Sequence, residues 1–266
     1  AVLNLDDDWG HELDGLLSGT GLDVWTVSIG GLARIRAERI EHGVAGLSFD
    51  VVEGADRQRV STAMVGLYNV SNLLGVIAAM RALGVSLHAA AHACEGLSPV
   101  PGRLETLAVD GMPLVAIDYA HTPDALEKVL VALRPVAQSR NGRLWCVFGC
   151  GGDRDASKRP LMAAVAQKNA DLLLVTSDNP RSESPAVVIS QILLGLTHSD
   201  AVYVEADRAL AISQAIREAH PADVILIAGK GHEDYQEIKG LKHPFSDRAH
   251  AETGLAARQP AIGSAS

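Results

Sequence analysis

Hydrophobic and polar positions follow one rhythm in the first third of the chain and another in the rest. Ala1 to Leu5 is a short apolar run that reads as a buried strand, broken by Asp6-Asp7-Asp8. An amphipathic helix is predicted over Trp9 to Leu17, and Val24 to Ser28 is the next strand. From Arg34 to Val65 the period is two: Ile35, Ala37 and Arg39 oppose Arg34, Arg36 and Glu38, then Leu47, Phe49 and Val51 oppose Ser48 and Asp50. Such alternation predicts antiparallel strands with one wet face. Gly66 opens a long helix to about Leu83, its apolar stripe being Val70, Leu73, Leu74, Ile77 and Met80. Gly84 ends it, and Ser86 caps a second helix running to about Cys94.

Gly96 to Gly102, reading GLSPVPG, is the best linker in the chain and predicts a domain boundary. Beyond it, short apolar runs alternate with helical ones. Strands are expected over Leu114 to Ile117, Leu144 to Phe148, Leu172 to Thr176, Ala201 to Val204 and Val224 to Ala228. Helices are expected near Pro123 to Leu133, Pro160 to Asn169, Pro185 to Leu196 and Arg208 to Ala219, each of the three prolines suiting a first turn. This order implies right-handed crossovers and an α/β fold, a mostly parallel sheet with helices on both faces. Gln236 to Lys239 reads as a short edge strand, Asp247 as the cap of a last helix, and Gln259 to Ser266 as a frayed tail.

Charge gathers where the strands end. Leu144 to Phe148 breaks into Gly149-Cys150-Gly151-Gly152, then Asp153, Arg154 and Asp155. Leu172 to Thr176 runs into Ser177-Asp178-Asn179-Pro180-Arg181, and Val224 to Ala228 into Gly229-Lys230-Gly231-His232-Glu233. Parallel strands deliver such loops to one sheet edge, where doubly wound folds bind ligands, so Arg154, Asp178, Arg181 and Glu233 are expected to converge. Acids and guanidinium forks together suit a molecule carrying both ammonium and carboxylate groups. Taken singly, the same residues read as a capped turn before the Pro185 helix and as surface charges. Asp118 to Asp124 also joins a strand to a helix. There Asp118 is an acceptor for a ribose hydroxyl and His121 a partner for a phosphate, or Thr122 merely caps the helix. Asn69 and Asn72 either cap their helix or read a base edge.

Composition narrows the function. The net charge of −9 argues against a nucleic-acid surface, and no apolar run reaches membrane-spanning length. Three cysteines, Cys94, Cys146 and Cys150, form a sparse set suited to a reducing compartment, and Cys146 and Cys150 read as packing thiols. Gly229-Lys230-Gly231-His232 lacks the hydroxyl and upstream glycine of a phosphate loop, and Gly149 to Gly152 is a poor dinucleotide fingerprint, which disfavours a nicotinamide oxidoreductase.

Taken in order, Gly66-Leu67-Tyr68-Asn69-Val70-Ser71-Asn72, Gly102-Arg103-Leu104-Glu105, Asp118 to Asp124, Phe148 to Asp155, Lys158-Arg159-Pro160, Asp178 to Arg181 and Gly229 to Asp234 resemble the Mur ligases, from Ala1 to about Ala257. The resemblance implies an incomplete end of an α/β ATPase domain over 1–97, a Rossmann-like carboxyl-terminal domain over 98–257 and a flexible tail over 258–266. It implies an ATP-dependent ligase of the cytoplasm, with ATP as cosubstrate and Mg2+. The expected substrates are UDP-N-acetylmuramoyl-L-alanyl-D-glutamate and meso-diaminopimelate, joined through an acyl phosphate, with no nucleic acid or membrane as partner. By resemblance Arg154, Asp178, Asn179, Pro180, Arg181, Gly229 and Glu233 hold diaminopimelate. Asn69, Asn72, Arg103, Asp118 and His121 lie on the nucleotide side, no metal ligand is assigned, and catalytic residues are expected upstream. The linker fits a hinge. On this reading the 266 residues alone do not form the amide; the competing reading is a stand-alone amino-acid-binding module.

Overall fold

A computed structural model describes residues 1–43, 46–97 and 99–258. The predicted tail at Gln259 to Ser266 lies outside them. The chain divides into two compact units, Ala1–Pro99 and Val100–Ser266.

The first unit is built on a five-stranded sheet in sequence order. Strands β1 (Val2–Asn4), β2 (Trp25–Ser28) and β3 (Ile35–Gly43) run parallel, and β4 (Gly46–Glu53) and β5 (Asp56–Thr62) continue antiparallel. Helix α1 (Asp8–Leu17) is capped by Asp7, whose carboxylate accepts from the Gly10 N–H at 2.7 Å. Helices α2 (Leu67–Ala82) and α3 (Leu87–Glu95) complete the unit, and Ser86 caps α3. The buried stripe of α2, with Val70, Leu74 and Ile77 fully inside, packs with Ile35, Phe49, Val51 and Val60.

The alternation fails at Arg39. A register shift between Glu38 and Glu41 puts it at φ +48°, and its guanidinium turns back onto Asp50 instead of following Ile35 and Ala37 inward. The expected wet face is therefore an ionic layer. Burial would push the Asp50 carboxyl up, but Arg57, Arg39 and Arg59 together hold it down at about 2.

The second unit is a six-stranded sheet of order β10-β9-β8-β11-β7-β6. Its strands are β6 (Glu105–Leu107), β7 (Leu114–Asp118), β8 (Leu144–Phe148), β9 (Leu172–Val175), β10 (Val202–Val204) and β11 (Val224–Ala228). All pair in parallel except β6, an antiparallel edge. The helices are α4 (Pro123–Ser139), α5 (Lys158–Asn169), α6 (Pro185–Leu193), α7 (Arg208–Glu218) and α8 (Asp247–Ala257). Val115, Ile117, Trp145, Val147, Ile225 and Ile227 form one core with α7 and α8. The alternate residues of β8 and β11 face away, toward α4. Burial on both faces explains why these strands read as unbroken apolar runs.

Several expectations are corrected. Gln236 to Lys239 is not an edge of the main sheet: β12 (Tyr235–Ile238) forms a separate hairpin with β13 (Leu241–Pro244) and is bridged to Arg181 at Ile238. Ser246, not Asp247, caps α8, its hydroxyl accepting from the Ala249 N–H; Asp247 is fully buried against Arg208. Helix α4 runs through Pro135 to Ser139, because Val136 and Ala137 still pack inside. Helix α5 starts two residues before Pro160. Helix α6 stops at Leu193, ahead of Gly195, where a Cβ would stand 1.9 Å from the Pro160 carbonyl oxygen.

Candidate functional site

Four of the parallel strands end beside one another, and their loops enclose a cleft of about 420 Å³. The loop after β8 contributes Gly151 and Arg154, and the start of α5 contributes Lys158; the loop after β9 contributes Asp178, Asn179 and Arg181. Gly229, Glu233 and Tyr235 follow β11, and Tyr119 and His121 follow β7. The cleft thus gathers Arg154, Asp178, Asn179, Arg181, Gly229 and Glu233. Pro180 is buried behind it, its carbonyl oxygen 2.0 Å from where a Cβ on Gly152 would stand.

Backbone crowding accounts for the glycines. Gly229 sits at φ +118°, and a Cβ there would come 2.6 Å from the Asp178 carboxylate. A Cβ on Gly151 would lie 2.8 Å from an Arg181 Nη1. These close approaches let the loops lace together. The Gly152 N–H donates to the Asn179 carbonyl at 2.9 Å, and Arg181 Nη1 donates to the Gly152 carbonyl at 2.7 Å. Arg181 stands at φ +51°, its N–H bonded to the Glu237 carbonyl and its carbonyl accepting from Lys239. Pro180 alone does not set that geometry; the β12 backbone does. Asp153 accepts from the Ser182 hydroxyl and N–H, and Glu183 accepts from the Asp153 N–H.

Charges not assigned a role from the sequence lie beneath the cleft. Arg159 is buried and donates to both oxygens of Glu183, which, with the Asp153 N–H, holds that carboxyl down at about 2. Arg208 pairs with Asp247 and donates to the Ser177 and Ala228 carbonyls, tying the ends of β9 and β11. Lys230 is buried against Asn179 and Glu233. Lys158, Tyr119 and Tyr235 line the cleft, and their place after strand ends was the available signal. The three thiols are buried and unpaired; burial, reinforced by nearby Asp178, pushes Cys150 up to about 12.

Of the nucleotide-side candidates, Arg103, Asp118 and His121 lie in the second unit, Arg103 and His121 both beside the Tyr119 ring. His121 lines the cleft, with Nδ1 2.8 Å from the Tyr119 carbonyl oxygen, and Lys158 donates to the His121 carbonyl. The Arg103 guanidinium lies 5.1 Å over the Tyr119 ring. Asp118 is buried, which pushes its carboxyl up, and it accepts from the Leu104 N–H at 2.7 Å. That bond ties β7 to the turn before β6. Asn69 and Asn72 belong to the other unit, on the first turns of α2. Asn69 donates to the Val65 carbonyl at 2.8 Å, and Asn72 donates to the Asn69 side-chain oxygen at 3.3 Å.

Residues 102–231 match the family model for the Mur ligase glutamate ligase domain, and residues 1–80 match that for the Mur ligase middle domain. A protein of Acidovorax sp. (strain JS42), named UDP-N-acetylmuramoyl-L-alanyl-D-glutamate--2,6-diaminopimelate ligase, is 60% identical over 258 residues. The match takes in 97% of this chain and 52% of that protein. A Pseudomonas aeruginosa protein of the same name is 45% identical, covering 96% of this chain and 52% of its own. A solved structure titled with that ligase is 35% identical with a TM-score of 0.71, over 97% of this chain and 53% of the other. The chain spans about half the length of the curated relatives it matches. Two family models met in chain order, on two units whose boundary falls between them, establish that the chain belongs to the Mur ligase family.

Proposed function

We propose that the second unit is the amino-acid-binding part of an ATP-dependent ligase that adds meso-diaminopimelate to UDP-N-acetylmuramoyl-L-alanyl-D-glutamate in peptidoglycan synthesis. The observation that carries this is the charge pattern of the cleft: Arg154, Lys158 and Arg181 against Asp178 and Glu233, around Asn179 and Gly229. Diaminopimelate has two carboxylates and two ammonium groups. Guanidinium forks match its carboxylates in plane, and the acids match its ammonium groups. The relatives named above support the same substrate.

In this reading residues 1–97 are the end of the family's central ATPase domain and 98–257 its last domain. ATP converts the D-glutamyl side-chain carboxyl to an acyl phosphate, and the diaminopimelate amine displaces the phosphate. The cleft's contribution is to order the amine by holding the far parts of the molecule. The exposed Arg103 guanidinium and the His121 imidazole lie beside Tyr119 for the nucleotide side. Among the described residues no group of three His, Cys, Asp or Glu side chains is gathered for a metal ion, so Mg2+ enters only as the family's companion of ATP. The 266 residues contain no Gly-x-x-x-x-Gly-Lys-Ser/Thr loop. The chain by itself is therefore expected to bind the amino acid without forming the amide, in a cytoplasmic setting where the nucleotide substrates are found.

Calorimetric titration of the chain with meso-diaminopimelate and with L-lysine tests this. Diaminopimelate is expected to bind roughly 30-fold or more tightly than lysine, which lacks the distal carboxylate. Equal affinity, or no binding of either, would refute it.

A further inference from the structure

Lys230 lies behind the cleft rather than in it. Its side chain is fully buried, which is expensive for an ammonium unless every side of it is met. Here three sides are met. Nζ donates to Asn179 Oδ1 at 2.9 Å and to Glu233 Oε2 at 3.0 Å, and it lies 5.5 Å from the Tyr235 ring centroid. Asn179 closes the triangle, with Nδ2 donating to Glu233 Oε2 at 2.9 Å.

The geometry leaves Asn179 one orientation. Its Oδ1 receives two donors, Lys230 Nζ and the Glu237 N–H at 2.9 Å. Turning the amide over would set Nδ2 against both and lose the bond to Glu233. Glu233 is fixed in the same way. Both recorded side-chain bonds fall on Oε2, so among the described residues Oε1 is the oxygen left for the cleft, and the side chain is 18% exposed. Residues 230 and 233 are also joined by the turn in which the Glu233 N–H donates to the Lys230 carbonyl at 3.0 Å.

We infer that Lys230 is a positioning residue for the amino-acid site: its buried ammonium locks the Asn179 amide and turns one oxygen of Glu233 toward the ammonium group of the incoming amino acid. This rests on the proposed function for the identity of the ligand, but not for the lock itself. A salt bridge kept for stability would gain from replacement by apolar groups of similar volume. Lys230 instead organises two cleft residues from a place the ligand does not reach, as supporting shells do.

The experiment has two readouts on the full chain. The first needs no ligand: the Asn179 side-chain amide resonances in 15N-resolved NMR, assigned by their loss in Asn179→Asp. In the wild type the two Nδ2 protons should be well separated and slow to exchange; in Lys230→Met they should move together and exchange faster. The second is a double-mutant cycle on meso-diaminopimelate affinity. Lys230→Met should weaken binding roughly 10-fold or more, while in a Glu233→Gln background the same change should add little. Lys230→Met/Glu233→Gln, which leaves no buried charge unpaired, guards against a single variant that fails to fold. Unaltered Asn179 resonances in folded Lys230→Met, or additive losses in the cycle, would overturn the inference. A wild type that keeps the locked amide but does not bind diaminopimelate would refute the proposed function instead.

Discussion

Replacing Arg181 separates what this side chain does for the fold from what it does for the ligand. Its Nη1 donates to the Gly152 carbonyl at 2.7 Å, and its Nε lies 3.5 Å from Glu237. Removing the first bond costs about 1 kcal/mol of stability. The Glu237 pair is partly exposed and adds little. The backbone term is independent: at φ +51° any residue with a Cβ is strained by about 1–2 kcal/mol, and glycine is not. Arg181→Ala should thus be about 1 kcal/mol less stable than the wild type. Arg181→Gly should recover about 1 kcal/mol of that.

The ligand term is larger. A guanidinium meeting a desolvated carboxylate is worth about 2–5 kcal/mol on truncation, or roughly 30-fold or more in affinity. Alanine and glycine should lose it equally, and Arg181→Lys should regain only part, since a point charge does not reproduce a fork. Urea unfolding gives the first quantity; calorimetry with meso-diaminopimelate and lysine gives the second. Lysine binding should barely change. Unaltered diaminopimelate affinity in both truncated variants would remove the basis for assigning this substrate, and Asp178 to Arg181 would revert to a turn ahead of α6.

Gly229→Ala should cost about 1–3 kcal/mol in urea unfolding from the backbone alone, and should also weaken amino-acid binding, because the new Cβ displaces the Asp178 carboxylate. Unimpaired binding would show that Asp178 does not meet the ligand. Glu183 should give the second unit an acid-sensitive stability. Its folded carboxyl lies at about 2 against an ordinary 4.5, so its contribution is full above about 4.5 and is lost as the pH falls toward 2. Thermal melts of Glu183→Gln should lack that part of the acid slope. Arg154→Ala should weaken diaminopimelate binding less than Arg181→Ala does, as read by the same calorimetry.

Strands and helices of the second unit were legible because burial on both faces leaves apolar runs that polar loops interrupt, and Gly and Pro mark the joints. The convergence of Arg154, Asp178, Arg181 and Glu233 followed from the same order, since parallel strands end on one edge. Other features rest on information that is not local. Glu105–Leu107 is too short to carry a period, and it is a strand only because β7 lies alongside. Lys158 and Lys230 look alike in sequence, yet one lines the cleft and the other is wholly inside. Arg208 reads as a helix surface charge; its buried partner Asp247 stands 39 positions away. Arg39 follows the apolar phase until a bulge reverses it.

Arg154 and Arg181 carry the same charge into one cleft, but they are not equivalent. Arg181 is about one-fifth exposed and already held by a carbonyl, so little freedom remains for it to lose when a carboxylate arrives. Arg154 is exposed and, among the described residues, has no recorded hydrogen bond or ion pair. Ordering a long side chain costs about 0.5–1.5 kcal/mol, which comes off the attraction it supplies. It also meets its carboxylate nearer to water, where the pair is worth less. The same reasoning explains why the buried cations sit where they do. Arg159 holds Glu183 and the Gly151 carbonyl, Arg208 the Ser177 carbonyl, and Lys230 the side chains of Asn179 and Glu233. Arg159 thus braces the loop of Arg154 through Gly151, but none of the three bonds to the Arg154 side chain. On the proposed function, discrimination between amino acids is expected to fall to Asp178, Arg181 and Glu233, whose side chains are held in place, with Arg154 adding attraction.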